Sequence, residues 1–222
     1  MQANTNLIIQ GGEYGSSRDP FLIFPLIHAV TDNTEAVRMV TRDVIQEFRA
    51  DGVRYLELRT TPREVRGRMS RLEYCQTVLD QIITSAGDDN DSVSGDNSGD
   101  NDNDSAPITV KLLLSIDRRQ LASMDDIVCL YTQLHSTPRY ASILAGLDIS
   151  GDPRVGDLRT VVDKLARLRE GVRVAVHLAE TVNHEETGAV LAMAPDRIGH
   201  GTCIHPTLGS ESLYEITSTL KL

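Results

Sequence analysis

Two short stretches carry the side chains best suited to chemistry. In Val172 to Glu180 (VRVAVHLAE), alternation places Val172, Val174 and Val176 on one face of a strand. Arg173, Ala175 and His177 fall on the other face, with His177 at the carboxyl end. Glu180 follows three residues later, so it converges with His177 only if the chain has already turned into a loop. In Pro195 to Gly201 (PDRIGHG), His200 ends a second strand between two glycines, which let the backbone turn sharply and another group approach closely. Two histidines and a carboxylate at the carboxyl ends of adjacent strands suit metal-assisted hydrolysis: a ligand, a proton donor, and a base or orienter for the attacking water. Each motif alone has a plainer reading, a hydrogen-bonded core histidine or a histidine in a tight turn; the pair together carries the argument.

Three further strand ends are polar: Thr60-Thr61-Pro62-Arg63, Asp117-Arg118-Arg119, and Asp148 with Ser150-Gly151-Asp152. Arg63 beside paired threonines could bind an anion. Asp117 and Asp152 read more simply as helix caps or loop solvation, and Arg118 and Arg119 as surface charges. His184-Glu185-Glu186 is not HExxH and predicts the opening of a solvated helix. No GxSxG, no GxxxxGK[ST] and no HxE with PCxxC occurs, which removes serine-hydrolase, P-loop and cytidine-type zinc deaminase readings.

The elements that must position these groups follow from hydrophobic period. Val37, Val40, Val44, Ile45 and Phe48 have helical spacing, with Asp32 or Thr34 as cap and Asp51-Gly52 as stop. Val53 to Thr60 reads as a strand and Leu72 to Ile83 as a helix. After them come strands at Ile108 to Ile116, Ile143 to Ile149, Val172 to His177 and Arg197 to His200. Helices at Met124 to Leu134, Leu158 to Leu168 and Glu185 to Met193 separate those strands. Alternating strands and helices without hairpin signals predict a parallel α/β sheet. No GxGxxG follows an early strand, so a (β/α)8 TIM-type barrel is favoured over a doubly wound sheet. Five units of eight make it a partial barrel, with residues 1–19 a loose leader and 20–222 the incomplete barrel domain.

Composition narrows the function. The 222 residues are 40% hydrophobic and carry a net charge of −10. Residues 87–105 contain seven Asp and no base, so the remainder carries only −3; this tract predicts a disordered acidic insertion. An acidic chain argues against nucleic-acid binding, and no apolar run approaches a membrane span. Cys75, Cys129 and Cys203 are odd in number and widely spaced, which fits a reducing, cytoplasmic setting. The amino terminus has no signal-peptide pattern.

The motifs also carry a resemblance. His177-Leu178-Ala179-Glu180 with Asp196-Arg197-Ile198-Gly199-His200-Gly201 resembles the HxxE and RIGHG pair of the adenosine deaminase family. FPLIHAVT (24–31), YLELRTTPR (55–63), LSIDRR (114–119) and GLDISGDP (146–153) are similar to its N6-methyl-AMP deaminase branch. The resemblance implies a metal-dependent hydrolase barrel that uses Zn2+ to deaminate a purine nucleotide or nucleoside at C6, acting as a monomer. It implies that His177 is a metal ligand and touches substrate, that Glu180 protonates the purine ring and that His200 acts on the attacking water. It further implies that His28, Thr60, Thr61, Pro62, Arg63, Asp117 and Gly151 contact the substrate. The family's HxH and paired aspartates, which supply its other metal ligands, do not occur in the corresponding places. A chain truncated at both ends is therefore expected; the reaction implied for the complete protein is N6-methyl-AMP to IMP and methylamine, and the alternatives are a non-catalytic remnant or a deaminase that converts adenosine to inosine.

Overall fold

The amphipathic stretch after Asn33 forms α2 (Thr34–Ala50), which buries Val37, Thr41 and Ile45, one residue per helical turn. Its cap is Asn33, not Asp32 or Thr34: the Asn33 side chain accepts from the Ala36 N–H at 3.0 Å. The computed structural model describes residues 24–87 and 107–204. The leader and almost all of the acidic tract lie outside the described residues; Gly87, the tract's first residue, closes α3 (Arg71–Gly87). A reciprocal Ser70–Glu73 capping box starts α3, and accepting the Ser70 N–H holds the Glu73 carboxyl below its ordinary range.

Five strands alternate with the helices: β1 (Tyr55–Thr60), β2 (Thr109–Asp117), β3 (Leu144–Ser150), β4 (Val174–Leu178) and β5 (Arg197–His200). β4 begins two residues later than the apolar alternation predicts. Val172 receives no ladder partner, and its N–H closes the turn onto Leu168. All pairs are parallel and the spatial order is β1-β2-β3-β4-β5. That order, without reversal, is the order of a barrel; a doubly wound sheet reverses at its switch point.

The convex face of the sheet is apolar. Leu112, Leu114, Ile116, Leu147, Ile149, Val174 and Val176 are fully buried against the helices, each contributing about 1.5–3 kcal/mol by transfer from water. α3, α4 (Met124–His135), α6 (Val162–Leu168) and α7 (His184–Ala192) cover that face, with the one-turn α5 (Pro138–Ala141) leading into β3. The concave face is polar, carrying Glu57, Arg59, Asp148, His177 and Arg197. Glu57 on β1 and Arg197 on β5 form an ion pair across it. In a flat sheet strands four places apart lie about 19 Å from each other, so this contact requires the curl of a barrel wall. Among the described residues no helix is long and apolar enough to cross a membrane.

Candidate active site

A cleft of about 460 Å³ opens at the carboxyl ends of the strands, the end where barrel enzymes place their chemistry. One wall is α1 (Phe24–Val30), which buries none of its own residues and turns Phe24, Ile27 and His28 toward the cleft. Val37, Val40 and Thr41 of α2 extend that wall. The floor is made of strand ends and the loops after them: Arg59 to Thr61, Arg63, Asp117, Ser150, Gly151, His177, Glu180 and His200.

Two backbone distortions converge Glu180 with the histidines. Ala179 takes φ +56° directly after β4, and His200 takes φ +65° at the end of β5. Left-handed backbone at non-glycine residues is costly and gathers where a site over-determines it. Ala179 turns the chain so that Glu180 swings back onto the cleft, its Oε1 3.4 Å from His200 Nε2. The Cys203 N–H bonds Ala179 O at 2.7 Å and the Gly201 N–H bonds Leu178 O at 3.0 Å, clamping the two loops together. The His177 and His200 rings meet edge to face, 5.2 Å between centroids. Gly199 sits opposite His177 in register, and a Cβ there would lie 3.0 Å from three ring atoms. The first glycine of the RIGHG run therefore makes room for the histidine of the neighbouring strand.

Behind His177, Asp148 is buried and its Oδ1 lies 3.1 Å from His177 Nδ1. Arg59 Nη1 lies 3.3 Å from Asp148 Oδ2 and also contacts His177 Nε2. At the other end of the cleft, Arg63 donates to His28 O at 2.9 Å and to Thr31 Oγ1 at 2.6 Å. Tyr74 anchors the same loop through a 2.5 Å hydroxyl bond to Thr60. Burial first, then the nearby Arg63 and Arg119 guanidinium groups, lower the His28 pKa. A neutral imidazole beside two cations is a place where an anion would be welcome.

Of the residues singled out by sequence, His28, Thr60, Thr61, Arg63, Asp117, Gly151, His177, Glu180 and His200 all line this one cleft. Pro62 does not; it is buried beneath the loop and shapes it from behind. Asp117 caps as well as lines, its carboxylate accepting the Arg119 N–H at 2.9 Å. Gly151 at φ +122° leaves room for that carboxylate, which a Cβ would approach to 2.7 Å. Two readings are corrected. Arg118 is not a surface charge and Glu186 is not solvated: they form a buried ion pair in which Arg118 Nη2 lies 2.8 and 2.9 Å from the two carboxylate oxygens. Arg119 lines the cleft rather than the outer surface. Arg59, Tyr74, Phe24 and Ile27 were missed; only the inward alternation of Glu57 and Arg59 in VRYLELRT gave any signal for them.

The sequence pattern of the adenosine deaminase family matches residues 16–216. The chain belongs to the adenosine deaminase family. It is 36% identical over 205 residues to the N6-methyl-AMP deaminase-L of Xenopus laevis and 34% identical over 203 residues to the N6-methyl-AMP deaminase of Homo sapiens. These alignments cover 88% and 89% of this chain and 52% of each relative. Among solved structures, the Arabidopsis thaliana N6-methyl-AMP deaminase without ligand superposes with a TM-score of 0.69 at 30% identity, covering 90% of this chain and 54% of that one. An Arabidopsis structure complexed with IMP gives the same score, with 53% of that chain covered. The chain thus spans about half the length of the adenosine deaminase relatives it matches, and its five-stranded sheet is part of a TIM-type barrel.

Proposed function

We propose that the protein to which these residues belong hydrolyses N6-methyl-AMP to IMP and methylamine, as a cytoplasmic monomer. The observation that carries this reading is the convergence of Glu180, His177 and His200 at one end of a cleft whose other end gathers His28, Arg63 and Arg119. One end suits proton transfer on a purine ring, the other suits a phosphate. Relatives named N6-methyl-AMP deaminase, and an Arabidopsis neighbour solved with IMP, support the nucleotide over the nucleoside adenosine.

In this reading water adds to purine C6 while the C6–N6 bond breaks. Glu180 hands its proton to ring N1 as negative charge develops there, and His200, in contact with Glu180, takes the proton from the attacking water. That proton leaves with methylamine, and the proton of the C6 hydroxyl returns to Glu180 as C6 becomes the carbonyl of IMP, which restores the acid. Thr60, Thr61 and Arg63 hold the nucleotide, with Asp117 and Gly151 shaping the opposite rim.

Zinc is the cofactor the family resemblance implies, with His177 as a ligand. Among the described residues no three His, Cys, Asp or Glu side chains converge as a metal site requires, and the Arg59 guanidinium lies against both ring nitrogens of His177. These residues alone do not fit the ion, so no step is routed through it. That observation favours one second reading, nucleotide binding without turnover.

The test is calorimetry with IMP and GMP beside chromatographic assay of N6-methyl-AMP. Saturable nucleotide binding, weakened by Arg63→Ala, with IMP formation supports the deaminase; binding without IMP selects the second reading. No nucleotide binding at millimolar concentration overturns both.

A further inference from the structure

The ion pair between Glu57 and Arg197 joins β1 to β5, which share no ladder. Otherwise β1 reaches β5 through three intervening strands, and the β2–β3 ladder carries a register shift between Leu112 and Leu113. Neighbouring strands twist against each other by anything from about 10° to about 35°, so a relay of ladders leaves the width of the curl loosely set. A direct contact across the curl has no such slack. The contact is a two-pronged fork: Arg197 Nη1 meets Glu57 Oε2, and Arg197 Nη2 donates to Oε1 at 3.2 Å. The Tyr55 hydroxyl donates to the same Oε1 at 2.6 Å. Forked guanidinium–carboxylate pairs fix direction as well as distance. The Arg197 hydrogen bonds outweigh burial and hold the Glu57 carboxyl below its ordinary range, which keeps it charged at neutral pH.

Glu57 stands three positions before Thr60, and Arg197 three before His200, both of which line the cleft. At about 3.3 Å per residue the fork lies about 10 Å below the rim on either side. Above it, β1 leads into Thr60, Thr61 and Arg63, and β5 into His200 beside Glu180. Arg59 ties β1 to Asp148 on β3 and to His177 on β4; Glu57 carries the tie one strand further. We propose that Glu57 and Arg197 are positioning residues, a strut below the cleft that sets the separation between its nucleotide-holding end and its proton-transferring end. The consequence for substrate rests on the deaminase reading; the strut itself does not. A ligand that touches both ends gains from a fixed separation, because its second contact becomes intramolecular once the first is made. A ligand that touches one end gains nothing from it.

The test uses the full 222-residue chain with nitroxide-bearing amino acids at the exposed rim positions Glu64, after β1, and Thr202, after β5. Pulsed electron resonance should give one narrow distance for the wild-type pair. Arg197→Gln should lengthen and broaden it, and so should Glu57→Gln, which keeps an acceptor for Tyr55 and serves if the first variant does not fold. Calorimetry on the unlabelled variants should show IMP weakened by about tenfold, a small part of what linking two contacts can contribute. Ribose 5-phosphate, which reaches the first end alone, should bind unchanged. A broad wild-type distribution overturns the proposal without any variant, and an unchanged distance in the variants overturns it too. So does an equal loss of IMP and ribose 5-phosphate, which marks general loosening of the fold. A wild-type chain that binds no IMP removes the deaminase reading, while the label distances still decide whether the pair sets the span.

Discussion

Two charged clusters are held by the same sheet and behave oppositely. Arg118 and Glu186 are both closed off from water, at 4% and 5% side-chain exposure. Their hydrogen bonds are spent on each other, on Val155 O and Gly156 O, and on the Leu158 N–H. Arg59, Asp148 and His177 share one buried carboxylate, but the cation and the imidazole remain accessible from the cleft. The first cluster welds the loops after β2 and β3 to α7 and does not line the cleft. The second keeps an imidazole and a half-exposed guanidinium at the edge of a cavity. A dry, fully satisfied ion pair fixes loops in place, whereas chemistry needs groups that can exchange partners.

The strongest way to break this contrast is Glu186→Ala. It strands the Arg118 charge in a dry site and should cost about 3–5 kcal/mol in denaturant unfolding, while replacing both partners by Met should cost far less. A loss below about 1 kcal/mol would mean the pair is wet and the contrast false. Glu180→Gln should leave the unfolding midpoint in place and cut N6-methyl-AMP turnover by about a hundredfold or more, because the amide has no proton to transfer. Unchanged turnover would detach Glu180 from the chemistry.

Gly199→Ala is a finer probe, since it pushes on the His177 ring from the adjacent strand. The forced shift should cost about 1–3 kcal/mol and alter the His177 NMR signals while leaving Arg118–Glu186 intact. Signals that do not move would show that the ring tolerates the methyl.

The smallest expected effect is on pH dependence at His28. Its pKa lies below the ordinary 6.5, so the fold prefers the neutral ring. Its contribution to stability is present above 6.5 and is lost as pH falls through that value toward the folded one. A bound phosphate offsets Arg63 and Arg119, raises the His28 pKa and draws in a proton. IMP should therefore bind more tightly as pH falls from about 7.5 to about 6, by no more than about tenfold, one pKa unit's worth. Inosine should show no such slope; an equal slope for inosine would place the phosphate elsewhere.

Much of this was legible in one dimension. The strand–helix alternation, the carboxyl ends of β1 and β5, and nine of the cleft's residues follow from period and motif. The Ser70–Glu73 capping box is equally readable as S-x-x-E. Boundaries failed where local signals tie: three adjacent polar residues compete to cap α2, and Asn33 wins because its side chain alone reaches the Ala36 N–H. α1 escaped notice because it has no buried stripe of its own to leave a period.

By itself the sequence determined what depends on near neighbours: which face of each strand is apolar, where the chain turns, and that His177, Glu180 and His200 fall at strand ends. Only the tertiary structure decided which distant charges meet. Arg118 and Glu186 lie 68 positions apart and Arg59 and His177 lie 118 apart. Both arginines look alike in sequence, each a charge close to the end of a strand. Curvature of the parallel sheet buries one among backbone carbonyls and turns the other onto a histidine, because the curl brings β1 across the concave face toward β4 while the loops after β2 and β3 close over α7. Pairings of that kind arise from the path of the whole sheet, which no local window of residues contains.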